Sequence, residues 1–169
     1  MLKEIFAGVG RNNRKDGPEV SISGTKRWYR NGRLHREDGP AVEFSYGIKE
    51  WYRNGELHRE DGPAIEYPDG GQEWFLNGNR HREDGPAIES ADGSKEWYQN
   101  SMLHRDDGPA VELANGGREW FRNGNRHRDD GPAIEWADGT KHWFLHGVPQ
   151  PDGTMKMSNS SGCRPPSPV

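Results

Sequence analysis

Residues 51–73 read Trp51-Tyr52-Arg53-Asn54-Gly55-Glu56-Leu57-His58-Arg59-Glu60-Asp61-Gly62-Pro63-Ala64-Ile65-Glu66-Tyr67-Pro68-Asp69-Gly70-Gly71-Gln72-Glu73, and this stretch decides the fold. Asn54-Gly55 lies between aromatic and apolar residues. A type I′ turn needs positive φ at both central positions, and Asn-Gly is the pair best suited to it, so the stretch predicts a tight hairpin. Counting outward, Arg53 faces Glu56, Tyr52 faces Leu57, Trp51 faces His58 and Glu50 faces Arg59. Asp69-Gly70, read as a second turn of the same kind, sets Ile65 opposite Trp74 and Glu66 opposite Glu73. On this register His58 and Ile65 both face a tryptophan although an odd number of residues separates them. The chain must therefore bend between them, and Gly62-Pro63 is the place, because proline cannot donate to a sheet ladder.

The stretch is one copy of a repeat. Trp28, Trp51, Trp74, Trp97, Trp120 and Trp143 recur every 23 residues. Each is followed by Tyr or Phe, then by a turn such as Asn31-Gly32, Asn77-Gly78, Asn100-Ser101, Asn123-Gly124 or His146-Gly147. Next comes His-Arg-Glu/Asp-Asp-Gly-Pro-Ala, from His35, His58, His81, His104 and His127, and then Val42, Ile65, Ile88, Val111 or Ile134. The pattern predicts an all-β protein of tandem 23-residue β-hairpin repeats, forming an elongated twisted antiparallel meander or open β-solenoid. Residues 1–19, with Arg14-Lys15-Asp16-Gly17-Pro18, read as a degenerate N-terminal capping repeat. Residues 20–154 form the array, and 155–169, rich in Ser, Pro and Gly, read as a disordered tail.

Composition narrows the class. Leu, Ile, Val and Phe make up 24 of 169 residues, yet the net charge is only −4 and seven Trp and five Tyr supply large rings. A folded but thin structure is expected rather than disorder. Cys163 stands alone, which excludes a disulfide within the chain and a cysteine-based metal site. No apolar run approaches a membrane span or a secretory signal, so a cytoplasmic protein is expected.

Each chemically suggestive group has a structural use beside it. Equivalent histidines should lie two strands, about 9.5–10 Å, apart, too far for adjacent copies to share one zinc. They are expected to pack on their own tryptophans, with their ring nitrogens on backbone at the corner. Asp61 with Glu60 has the donors for calcium, but an aspartate there more often bonds its own turn. Glu50–Arg59, Glu73–Arg82, Glu96–Arg105 and Glu119–Arg128 are expected as cross-strand ion pairs, with Arg27 facing Arg36 in the first copy. Five copies of one set of groups do not form a single converging centre, so no enzyme, metal, cofactor or small-molecule substrate is expected.

The aromatic, the Asn-Gly, the histidine, Gly62 and the closing Asp69-Gly70 resemble a MORN repeat (membrane occupation and recognition nexus) over residues 12–154. The Arg-Glu-Asp-Gly-Pro-Ala step in place of Gly-x-Gly is closer to MORN-variant repeats of bacterial and phage proteins, some antitoxin-like. The resemblance implies a scaffold or binder rather than a catalyst.

The expected function is a binding module gripping a protein partner along one sheet face. A phage- or prophage-encoded inhibitor occluding a target enzyme is one alternative. Another is a nucleic-acid binder using Trp and Arg rows. Membrane binding would want a polybasic stretch, and there is none. Positions that vary between units mark the candidate contact. Leu76, Gln99 and Met102 are nearest it. Asn79, Arg53 and Glu56 lie beside them, and His58, His81, His104, Arg82 and Arg105 form the flank. Along this edge the centre is expected to be uncharged between charged ends.

Overall fold

A computed structural model describes residues 17–151. The described residues form an all-β array without a helix, and none of its elements is long and apolar enough to cross a membrane as a helix. The proposed terminal cap before Gly17 and the proposed tail lie outside the described residues. The strand Gly17–Val20 spans the expected boundary at residue 19 and pairs with Lys26–Tyr29.

Each unit builds two rows. Lys49–Glu50 and Ile65–Glu66 enter a long antiparallel meander, in which Glu50 lies opposite both Val42 and Ile65. This sheet runs through 13 strands in sequence order, from Gly17–Val20 to Val148–Gln150, without closing into a barrel. Tyr52–Arg53 and Glu56–Leu57 form a hairpin beside it, with Tyr52 opposite Leu57 and Arg53 opposite Glu56 as the sequence predicts. Asn54 and Gly55 have φ of 55° and 91°, the left-handed pair a type I′ turn demands.

Backbone bonds close each unit on itself and join it to the next. The Trp51 N–H donates to the Ala64 carbonyl at 2.8 Å, and the His58 N–H donates to the Trp51 carbonyl at 3.0 Å. In the hairpin row, the Gly78 N–H donates to the Leu57 carbonyl and the Arg59 N–H to the Phe75 carbonyl. The core between the rows is narrow. Ala41, Ala64, Ala87, Ala110 and Ala133 are fully buried, and Val42, Ile65, Val111, Ile134, Tyr29 and Phe75 fill the space beside them.

The second turn departs from expectation. Ile65 faces Glu73, not Trp74, and Glu66 faces Gln72, not Glu73. The loop has three residues, closed by Gly70 N–H to the Tyr67 carbonyl and Tyr67 N–H to the Gly71 carbonyl. Asp69 stays out of the left-handed region because its carboxylate accepts the Gly71 N–H at 3.0 Å; only Gly70 takes positive φ, 94°. This is a type I turn with a G1 bulge, which moves the register by one residue.

The expected Glu50–Arg59 pair and its counterparts Glu73–Arg82, Glu96–Arg105 and Glu119–Arg128 do not form, nor does Arg27 face Arg36. Arg27 lies opposite Val42. The chain leaves the hairpin at His58, so Arg59 turns away from Glu50 and lays its guanidinium over Trp51, 4.2 Å from the ring centre.

Glu50 and its equivalents find other partners, and the choice explains a correlation between units. Where the second aromatic is Tyr, the facing residue is Leu: Tyr29/Leu34, Tyr52/Leu57 and Tyr98/Leu103. In two units where it is Phe, the facing residue is Arg, Phe75/Arg80 and Phe121/Arg126; in the last, Phe144 faces Pro149 and His142 stands at the position of Glu119. The Tyr98 hydroxyl donates to Glu96 at 2.8 Å. Phe121 has no hydroxyl, and Arg126 Nε donates to Glu119 at 2.9 Å instead. A largely buried carboxylate must be bonded, and either solution serves.

Candidate functional site

The most regular polar feature is the row of corners. In each unit the arginine after histidine caps its tryptophan: Arg36, Arg59, Arg82, Arg105 and Arg128 lie 4.0–4.2 Å over the rings of Trp28, Trp51, Trp74, Trp97 and Trp120. Arg59 Nε donates to Asp61 at 2.9 Å, and its Nη1 donates to the Pro63 carbonyl at 3.2 Å and to Glu66 at 3.0 Å. Arg82 and Arg105, expected at the flank of a partner contact, make the same set. The corner aspartate thus serves the arginine as well as its own backbone. Hydrogen bonding by Arg59, then its charge, holds the Asp61 carboxyl below its ordinary range.

Gly62 completes the corner. A methyl group there would sit 3.0 Å from Arg59 Cζ, and the other corner glycines meet their arginines in the same way. The string Arg-x-Asp-Gly-Pro is therefore accounted for by packing within one unit.

Arginine takes one face of each corner tryptophan, and the histidine ring nitrogens meet backbone as expected, though that of the next unit rather than the corner. His58 Nδ1 accepts the Asn77 N–H of the next unit at 3.1 Å, so its Nε2 carries the proton and donates to Glu60 at 3.2 Å. His35, His104 and His127 accept the N–H of Asn54, Asn123 and His146 in the same manner. His81 departs from the series. Its Nδ1 is buried without a partner, and the bonds from Asn100 N–H to His81 and from Arg82 N–H to Tyr98 are not formed among the described residues. The next turn here is Asn100-Ser101, and the Ser101 hydroxyl accepts the Arg80 N–H at 3.2 Å.

Between successive corners lies an open polar trough. Its segment between His35–Gly39 and His58–Asp61 has a volume of about 820 Å³, and the next, reaching His81–Asp84, about 650 Å³. The residue after the second aromatic borders it in each segment: Arg53, Leu76, Gln99 and Arg122. The structure thus brings Arg53, Leu76 and Gln99 to one trough, together with His58, His81 and His104. Glu56, Asn79 and Met102 are exposed opposite them in the hairpins but stand outside the trough. Glu56 and Met102 lie beside Gly78 and Gly124 of the following turns, and Asn79 donates to the Asn77 carbonyl.

Leu76, Asn79, Gln99 and Met102 leave the middle of the hairpin edge uncharged, but the corner acids beside it change the trough. Arg30, Arg53 and Arg122 each reach the corner acid seven residues on: Glu37 at 2.7 Å, Glu60 at 3.0 Å and Asp129 at 3.4 Å. Leu76 and Gln99 remove that cation while Glu83, Asp84, Asp106 and Asp107 remain. The middle of the trough is therefore acidic. Residue variation was legible in the sequence, but this consequence needed the reach from position 53 to position 60. No group of three or more metal-ligating side chains occurs among the described residues. Comparisons with protein-family models and with curated proteins gave no match to this chain.

Proposed function

We propose that this chain is a non-catalytic binding module that grips a protein partner along the trough and the hairpin tips beside it. What supports the reading is a division of labour within each unit. Trp51, Arg59, Asp61, Gly62, Pro63 and Ala64, with their equivalents, are engaged with one another. Arg53, Leu76, Gln99 and Arg122 differ from unit to unit and border the same trough. A regular frame carrying variable side chains suits recognition, whereas catalysis needs one convergent constellation. The likeness of the units to MORN repeats points the same way, and occlusion of a target enzyme is one form such binding takes.

A nucleic-acid platform needs open aromatic faces. Here one face of each corner tryptophan carries an arginine, and carboxylates line the trough. The test is capture from extracts of the native host on immobilised chain. A protein should be retained and should be lost with Gln99→Lys plus Met102→Lys, while the melting curve is unchanged. Recovery of RNA or DNA alone, released steeply by salt, would refute the reading.

A further inference from the structure

The third unit lacks a contact that three other units make for themselves. Arg53 Nη1 lies 3.0 Å from Glu60 Oε1 and 3.4 Å from His58 Nε2. Arg30 stands in the same relation to Glu37 and His35, and Arg122 to Asp129 and His127. The geometry is thus repeated three times: a guanidinium and the histidine Nε2–H converge on one corner carboxylate. In the third unit the residue at that position is Leu76. Glu83 forms no ion pair among the described residues, and His81 lacks the donor that fixes the ring proton elsewhere. The fourth unit differs again, since His104 Nε2 is 3.3 Å from Asp106 and Gln99 is itself polar.

Resting on the reading of the chain as a protein-binding module, we propose that the third unit is an arginine-accepting subsite. A guanidinium presented by the protein partner pairs with Glu83 beside His81, as Arg53 pairs with Glu60 beside His58 one unit earlier. Leu76 borders the trough at the position Arg53 holds one unit earlier and supplies an apolar wall for the aliphatic stem of that arginine. Charge complementarity favours the cation, because Glu83 has no ion pair among the described residues and Asp106 is met only by His104, whereas Asp84 is already paired with Arg82. A planar fork can meet a carboxylate with two parallel N–H bonds, which an ammonium cannot, so arginine is preferred to lysine.

The test is a titration of the full chain, isotopically labelled, with N-acetylarginine amide, followed by amide and indole NMR. Saturable shifts should centre on the Trp74 indole N–H, Leu76 and residues 81–84, with a roughly millimolar Kd. N-acetyllysine amide should bind more weakly. Leu76→Arg supplies the guanidinium in cis and should abolish the shifts while leaving the melting curve unchanged or raised. Glu83→Gln should weaken binding roughly tenfold or more and decides the matter if the first variant folds poorly. Equal shifts at all five corners, shifts that survive both substitutions, or none at all would overturn the subsite. Failure to capture any protein partner would instead overturn the binding-module reading, whatever the titration gives.

Discussion

Gly62 is required by a side chain rather than by the backbone, and a double-mutant cycle with Arg59 exposes this. The Arg59 guanidinium is about one-fifth exposed and contacts Trp51, Pro63, Glu66 and Asp61. Stacking on the indole contributes about 1–2 kcal/mol. The hydrogen bonds to Pro63 and Glu66 add about 1 kcal/mol each, and the pair with the well-exposed Asp61 adds little. Arg59→Ala should therefore cost about 3–4 kcal/mol. Gly62→Ala places a methyl group 3.0 Å from Arg59 Cζ. The guanidinium must lift off the ring, at a cost of about 1–2 kcal/mol. Gly62 does not adopt left-handed φ, so once Arg59 is alanine the same substitution no longer meets the guanidinium and should stabilise by about 0.4–1 kcal/mol through the unfolded chain. Urea melts of the four proteins, read by tryptophan fluorescence, give the coupling directly. A Gly62→Ala effect that is the same within about 0.5 kcal/mol in both backgrounds would refute this account of the corner.

Three further outcomes are expected. Trp74→Ala or Trp97→Ala should cost about 3–5 kcal/mol in chemical melts, and Trp28→Ala less, because an end unit has fewer neighbours. Arg126→Leu strands the buried Glu119 and should cost about 2–4 kcal/mol, whereas adding Phe121→Tyr should recover most of that loss, since the Tyr98/Leu103 unit bonds its glutamate through the hydroxyl; a double variant no more stable than the single one counts against the exchange. Burial first, with a neighbouring glutamate, raises the Tyr52, Tyr67 and Tyr98 hydroxyls from 10.0 to about 12. The folded state favours the protonated phenol, so this contribution to stability is complete below pH 10 and is lost as pH rises from 10 to about 12. Tyrosinate absorbance and melts across that range should change together.

Much of the architecture was readable because backbone requirements leave a residue signature. Asn54-Gly55 announces two left-handed positions, and its hairpin register held to the residue. Asp69-Gly70 looked equivalent, but an aspartate that can bond forward to Gly71 keeps its own φ negative, and the register moved by one. Arg59 was misplaced because alternation along a strand was carried past His58, where the strand has ended. Cation–π capping leaves no periodic trace, so nothing in the spacing of Trp51 and Arg59 distinguished stacking from cross-strand pairing. At the candidate site, variation between units marked Leu76 and Gln99. The neighbours that give those positions meaning, Glu83 and His81, belong to the repeated string and were hidden by their regularity.

The stitching between units has a consequence for inheritance. Most bonds that cross from one unit to the next join the same groups, Leu57 to Gly78, His58 to Asn77 and Arg59 to Phe75, with the joint from His81 to Asn100 the exception. The joints are thus interchangeable, and a segment of 23 residues can be duplicated or deleted by unequal recombination without creating a mismatched seam. Length becomes a quantity that can change in one genetic event, in steps of about 10 Å for two strands. A shift of any other size would set tryptophan against the wrong carbonyl. Selection can therefore fit the reach of such an array to a target independently of the side chains that line it.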